Sequence, residues 1–370
     1  MFRYLNITTK QLGWLMLVSI HFLLAYYSCY ISIHYENTDY ITFYKNAQDY
    51  KIESWHLPKF GSDFFIFLNA PLVKTGIGFY LVSLFYSVLS FIPFYFVYKN
   101  YSSVFFQDGL WFQKFTLAIL LFLPSTHFWL ASFSKDALVF FLVFCLLCLI
   151  NSFFLKKLSL INSLLITILL FMIAGIRPYI VAVLMLAVLS VKIVSYKNYK
   201  SVWFYFILLL SGFIVYILLA LYLNEYNILR MSDIFRDKLS FLNQYSKASG
   251  NAVIDLENTG LFFRFFNFMY FPLYYKTKTF HQIMVSTENL ILLIWSIFFI
   301  SFHFKNKIPK NLRIIEKVSG VFGLLLWLFF TIYIYNYGLA SRMKAMVIPF
   351  LLFYCLNYII QNKKNVNFAL

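Results

Sequence analysis

Charged residues are scarce in this sequence. Only 12% of its 370 residues are Asp, Glu, Lys or Arg, which is about half the share found in soluble globular domains. Glycine is also rare, at 12 residues, while 62% of the chain is hydrophobic. A disordered chain or a single soluble core does not have this composition. The sequence therefore predicts an all-α polytopic membrane protein, forming one integral membrane domain over residues 1–370.

Cysteine is too infrequent for a secreted disulfide scaffold. All four cysteines lie inside apolar runs, as Cys29, Cys145, Cys148 and Cys355. Cys145 and Cys148 have CxxC spacing, but no His or carboxylate lies near them in FCLLCLI. We interpret the cysteines as small residues of the helix bundle rather than as a metal or redox site.

About ten apolar runs have the length that a membrane-spanning helix needs. The predicted spans are 12–33, 77–98, 115–131, 137–154, 158–175, 179–194, 202–223, 287–304, 318–335 and 345–360. Two longer segments separate some of them, 34–76 and 224–286. The other connections are too short to fold a cytoplasmic nucleotide-binding module, and the sequence has no P-loop, GxGxxG or HExxH motif.

The distribution of basic residues predicts the orientation. With a cytoplasmic N terminus, the inner segments hold 16 of the 31 Lys and Arg but only 2 of the 14 acids. Cytoplasmic loops of membrane proteins are enriched in Lys and Arg. Both termini are therefore predicted to be cytoplasmic, with 34–76 and 224–286 as outer loops. The net charge of +17 then needs no nucleic-acid partner.

Several ionisable residues fall at the predicted outer ends of spans, where such groups are costly and usually functional. They are Lys135 and Asp136 before the fourth span, Arg177 before the sixth, and Arg342 and Lys344 before the tenth. Helix N-termini and arginine forks both favour phosphate. We predict that Lys135, Arg177 and Arg342 bind a phosphate or diphosphate, while Asp136 caps or supports its helix.

Two outer-loop residues complete the predicted site. Asp39 follows the first span in NTDY and is placed to act as a general base on a sugar hydroxyl. Arg264, in LFFRFFNF, has the most apolar setting of the cations in the late loop. We predict that it joins the diphosphate-binding residues. No second acid stands beside Asp39, so we expect no metal and no other cofactor.

The order of these motifs resembles a known group of enzymes. An acid after the first span is followed by LPS..FW..S..KD.L.FF, an Arg-Pro pair opening a later span, and G..SR.....P near the end. This layout resembles the membrane-embedded, polyprenyl-dependent glycosyltransferases of the GT-C type. Among them it is most similar to bacterial O-antigen and capsule repeat-unit polymerases (the Wzy type).

The resemblance implies a function and a location. Such a polymerase lies in the bacterial inner membrane, with its active site facing the periplasm. It transfers a glycan from undecaprenyl diphosphate to a second lipid-linked unit. By position, Arg177 and Arg342 match the family's diphosphate-binding arginines, Lys135 the basic residue of the KD run, and Asp39 the acid. The implied partners are the undecaprenyl-linked oligosaccharide, membrane lipids, and the chain-length regulator and flippase of the same pathway.

Three alternatives remain open from the sequence. The first is a GT-C transferase that takes one sugar from undecaprenyl phosphate. The second is a glycolipid flippase or transporter, against which the nearly charge-free spans argue. The third is a membrane acyltransferase, for which His21 lies in the first span without a matching inner Arg-rich motif. His21 and His127 are expected to fill the bundle.

Overall fold

The computed structural model describes residues 8–34, 38–51, 58–106, 111–155, 159–195, 260–273, 280–306, 309, 311–333 and 336–367. The regular elements in these residues are all α-helices. Six of the described helices are long and apolar enough to cross a membrane, as judged by length and composition. The prediction of an α-helical membrane protein is therefore confirmed. The count of ten spans and the orientation stay predictions.

The described chain divides into two compact units. Unit 1 consists of the described parts of Met1–His56 and Phe65–Phe144, and unit 2 of the described parts of Leu57–Phe64 and Cys145–Leu370. The single domain over residues 1–370 stays a prediction.

The first eight helices supply unit 1, with the end of α8 and the start of α3 belonging to unit 2. They are α1 Thr9–His34, α2 Asp39–Gln48, α3 Ser62–Lys74, α4 Phe79–Tyr101, α5 Ser103–Phe106, α6 Trp111–Phe122, α7 Pro124–Leu130 and α8 Lys135–Leu155. The predicted outer loop 34–76 thus contains two helices, α2 and α3. Aromatic residues fill the core of the unit: the buried ring of Phe133 contacts Phe65 and Tyr86 at centroid distances of 5.1 and 5.0 Å.

A proline divides the predicted third span. The sequence predicts one helix over 115–131, but α6 ends at Phe122 and α7 begins at Pro124. Leu123 between them is extended, at φ −68° and ψ 110°. Proline has no backbone N–H and disfavours helical conformation in the residue before it. Pro124 therefore ends one helix and occupies the first position of the next.

The remaining helices supply unit 2. They are α9 Leu160–Ile176, α10 Pro178–Ser195, α11 Leu261–Tyr270, α12 Phe280–Lys305, α13 Ile314–Tyr333 and α14 Tyr337–Asn367. The predicted span 202–223 lies outside the described residues, and so does most of the predicted loop 224–286. α11 is the described helix that falls wholly within that loop.

Contacts fix the directions of α12, α13 and α14. The Lys344 ammonium of α14 contacts Asn289 of α12, and the Tyr358 hydroxyl donates to the carbonyl of Asn306 at 3.2 Å, so α12 and α14 run in parallel. The intervening α13 runs antiparallel to both. The N-terminal ends of α12 and α14 therefore lie at the same end of unit 2 as the C-terminal end of α13.

Two glycines let α13 and α14 approach closely. A Cβ atom on Gly320 would lie 2.6 Å from Cγ of Tyr354, and one on Gly323 would lie 2.8 Å from Cγ of Leu351. Small residues at such positions are typical of helix pairs in membranes. The absence of a side chain at Gly320 and Gly323 thus allows the close contact between α13 and α14.

Candidate functional site

Arg177 lies between α9 and α10 and is fixed at both its backbone and its side chain. Its backbone N–H donates to the carbonyl of Ile173 at 2.7 Å, which closes the last turn of α9. Pro178 then begins α10, as the sequence predicts. The half-buried guanidinium donates to the hydroxyl of Tyr179. Arg177 is therefore held at the start of α10.

The ring of Tyr179 packs the junction between α9 and α10 against the C-terminal end of α13. It stacks on Phe329 with 5.0 Å between centroids and meets Phe330 edge-on at 6.0 Å. The side chain of Tyr179 is therefore fixed at both ends: its hydroxyl accepts a hydrogen bond from Arg177, and its ring packs on α13. The position of Arg177 thus depends on α13.

Arg264 lies on α11, which packs against the same end of α13. Phe265 stacks on Trp327 at 3.9 Å, and the indole Nε1 of Trp327 donates to the carbonyl of Phe265 at 3.0 Å. Phe268 contacts Phe330 at 5.9 Å. Arg264 itself is half-buried, next to the exposed Phe263.

Arg342 lies inside α14 rather than in the turn before it. The sequence predicts a tenth span that starts at 345, whereas α14 begins at Tyr337. Asn336 explains the difference: its side-chain oxygen accepts the N–H of Gly338 at 2.6 Å, and its carbonyl accepts the N–H of Ala340 at 2.9 Å. An Asn that caps a helix in this way starts it early. Arg342 is therefore held, half-buried, in the second turn of a regular helix.

The three predicted arginines thus belong to elements that pack on the C-terminal part of α13 or begin just after it. Arg177 is attached through Tyr179 to Phe329 and Phe330, while α11 and Arg264 are attached through Trp327 and Phe330. α14, with Arg342, begins just beyond the end of α13. We call Arg177, Arg264 and Arg342 the arginine cluster.

Lys344 has a different role from Arg342, although the sequence places both before the tenth span. Two positions apart on a helix, they point to different faces. Lys344 is only 3% exposed, and its ammonium donates to Asn289 Oδ1 at 2.6 Å and to the carbonyls of Phe271 and Met269 at 3.2 and 3.3 Å. Three acceptors use all three ammonium protons.

This arrangement joins three helices. Met269 and Phe271 lie at the C-terminal end of α11, where a cation is favoured by the helix dipole. Asn289 of α12 also donates to the carbonyl of Pro272 at 2.8 Å. Buried Glu288 lies close enough to interact electrostatically with Lys344. Lys344 therefore holds α11, and with it Arg264, against α12 and α14.

Sequence reasoning missed Asn289 and Glu288. Both stand in STENLIL and lie inside the predicted apolar span 287–304. The signal that could have found them is the Glu-Asn pair itself, since an intramembrane carboxylate and amide need partners.

The other predicted residues, Asp39, Lys135 and Asp136, belong to unit 1. Asp39 is the first residue of α2 and is exposed. Lys135 begins α8, and its ammonium lies 4.9 Å from the ring centroid of Phe43. Phe43 is one helical turn after Asp39, so the structure places Lys135 against the helix that Asp39 begins.

Asp136 is fully buried in the first turn of α8, where a negative charge is favourable. The side-chain cap of this helix is Ser134, whose hydroxyl accepts the N–H of Ala137 at 3.1 Å. Within the described ranges, no three His, Cys, Asp or Glu side chains come together as a metal ion requires. That the protein works without a metal stays an expectation.

Comparison of the chain with models of protein families, with characterised proteins and with solved structures finds no match.

Proposed function

We propose that this protein is a membrane glycosyltransferase of the repeat-unit polymerase type, acting in a bacterial inner membrane. Its substrate is a glycan linked to undecaprenyl diphosphate, and the arginine cluster binds the diphosphate. The acceptor hydroxyl of a second lipid-linked unit attacks the anomeric carbon of the glycan. The bond to the diphosphate breaks, undecaprenyl diphosphate leaves, and the hydroxyl proton passes to a base, for which Asp39 is the candidate.

The arrangement of the arginine cluster carries this proposal. Arg177 directly precedes α10, Arg264 lies on α11 and Arg342 on α14, all three elements adjoin the C-terminal part of α13, and each arginine is half-buried. A diphosphate offers several oxygens, and guanidinium groups bind them with paired hydrogen bonds. Arg177 directly precedes α10 and Arg264 lies in the first turn of α11, and anions are favoured at helix N-termini. An ordinary headgroup contact does not require an arginine held by a tyrosine hydroxyl, as Arg177 is by Tyr179.

The polysaccharide made by the native strain tests the proposal. On a gel, a repeat-unit polymerase gives a ladder of chain lengths. Deletion of this chain should leave one repeat unit attached and remove the ladder. Complementation with Arg177→Ala or Arg342→Ala should fail to restore it. A ladder that persists with altered mobility would instead indicate a transferase that adds one sugar from undecaprenyl phosphate.

Lysine substitutions separate a diphosphate clamp from a simple positive charge. Arg177→Lys, Arg264→Lys and Arg342→Lys keep the charge but lose the fork, so the ladder should shorten or disappear. Arg313, which precedes α13 at its opposite end and is 53% exposed, gives the matched control Arg313→Lys. If all four variants restore the full ladder, the arginine cluster does not bind the substrate.

One observation favours a second candidate, translocation of the same glycolipid. Lys344 and Glu288 are buried within candidate spans, whereas the sequence predicts spans that are nearly charge-free. Buried charges of this kind occur in transporters. Loss of even the single repeat unit from the outer face after deletion would support translocation and overturn polymerisation.

A further inference from the structure

Two buried histidines of unit 1 contact each other. His21 lies midway along α1, a candidate span, and His127 lies on α7. Both side chains are 0% exposed, and their Nδ1 atoms are 2.8 Å apart. Two nitrogens at this distance are hydrogen-bonded, and a hydrogen bond needs a proton between them.

The other nitrogen of each ring faces a backbone carbonyl. Nε2 of His21 lies 3.0 Å from the oxygen of Ser87, and Nε2 of His127 lies 2.7 Å from that of Leu121. A carbonyl oxygen can only accept. Each Nε2 must therefore carry a proton if these two contacts are hydrogen bonds.

Counting protons shows that two neutral rings cannot satisfy this geometry. The three contacts need three protons, and a neutral imidazole carries only one. With both Nε2 atoms protonated, two neutral rings would direct lone pairs at each other across 2.8 Å. One additional proton, shared between the Nδ1 atoms, satisfies all three contacts and makes the pair an imidazole–imidazolium cation.

Aromatic rings surround the pair. The ring of Phe94 lies 4.4 Å from that of His127, and the ring of Phe91 lies 5.0 Å from that of His21. The two carbonyls accept from the charged pair. The ring of Phe22, also on α1, lies next to the pair, with its centroid 5.4 Å from that of His21.

Other ionisable groups do not contact either ring in the described residues. The charged or titratable side chains of α1, α2, α4, α6 and α8 outside the pair include Lys10, His34, Asp39, Lys45, Lys99, Lys114, Lys135 and Asp136.

We propose that His21 and His127 form a buried binding site for one proton. With the proton bound, the bridge between the rings is closed and α1 is hydrogen-bonded to α7. Without it, one of the three contacts is lost. The site is independent of the arginine cluster and of the proposed glycosyl transfer. Its consequence is that pH changes one of the hydrogen bonds that link α1, α4, α6 and α7, just before the turn that leads to Lys135.

Nitrogen-15 NMR of the histidine-labelled protein in lipid bilayers tests this proposal on the wild-type chain. Over a pH titration, the pair should take up a single proton. At the acidic end, three of its four nitrogens should be protonated directly, and a scalar coupling should link the two Nδ1 nuclei through the shared proton. The chain has 6 histidines, so His21→Phe and His127→Phe assign the resonances. His303→Phe, which leaves the pair intact, is the matched control.

Several results would overturn the proposal. The first is absence of the coupling at every pH at which the protein stays folded. The second is independent uptake of two protons by the two rings. The third is a pair that keeps only two protons over the whole titration. Because the coupling is measured on the wild type, failure of either phenylalanine variant to fold leaves the test intact.

Discussion

The ammonium of Lys344 donates to the side-chain oxygen of Asn289 across 2.6 Å, and neither residue is more than 3% exposed. Together they connect α14 to α12, and the two further bonds of Lys344 reach the C-terminal end of α11. A residue that charge patterning assigns to the membrane surface is thus an internal link of unit 2.

Removing the Lys344 ammonium should destabilise the protein strongly. Lys344→Met keeps the length of the side chain but leaves Asn289 Oδ1 and two carbonyls without their donor. Loss of one partner from a buried charged network costs about 3–5 kcal/mol. We expect a clear fall in the thermal unfolding temperature in detergent micelles. Lys305→Met, at the exposed end of α12, is the control and should change it little. An equal change in both variants would contradict the assigned role.

The close packing of α13 against α14 leaves no room for added methyl groups at Gly320 and Gly323. Gly320→Ala and Gly323→Ala would each place a Cβ within 3 Å of a side chain of α14. We expect each to lower the free energy of unfolding by about 1–3 kcal/mol, as overpacking does. Gly78→Ser is the control, because Gly78 precedes α4 with open space around it and serine caps helices well. Unchanged stability of both alanine variants would show that the helices lie further apart.

Tyr179 should matter for activity through its hydroxyl. Tyr179→Phe keeps the stack on Phe329 but removes the hydrogen bond to Arg177. A hydrogen bond to a charged group is worth about 1.5–3 kcal/mol, so we expect polymerisation to slow by about tenfold or more with little loss of stability. The rate is measured with purified lipid-linked substrate in vesicles. An unchanged rate would mean that Arg177 is positioned without the tyrosine hydroxyl.

Asp39→Asn tests the candidate base. The carboxylate is exposed at the first position of α2, so the amide should not disturb the fold. If Asp39 accepts the proton of the acceptor hydroxyl, the rate should fall by about 10²–10⁴-fold. The control is Asp49→Asn, at the exposed C-terminal end of the same helix. Equal activity of the two variants would remove Asp39 from the mechanism.

Cysteine labelling tests the orientation of unit 2. Gly338 and Asn311 are exposed and lie near opposite ends of α13. In a background without the four native cysteines, Gly338→Cys should react with a membrane-impermeant maleimide in intact cells whose outer membrane is permeabilised. Asn311→Cys should react only after the inner membrane is opened. The reverse pattern would place the arginine cluster on the cytoplasmic side and refute the proposed function.

Composition and local chemistry predicted much of the fold. The excess of apolar residues predicted membrane helices, because the chain holds more hydrophobic surface than one soluble core can bury. Pro178 marked the first position of α10, because proline fits a helix start. The same chemistry at Pro124 divides the predicted third span, although run length alone favoured a single helix.

The roles of individual charges needed the tertiary structure. Arg342 and Lys344 are two positions apart and look equivalent in the sequence, yet one is half-buried while the other is saturated by acceptors from α11 and α12. The sequence by itself determined that this protein consists of apolar helices with cations at their ends. Which cations become internal links was decided by helix packing, because partners such as Asn289 come from distant parts of the chain.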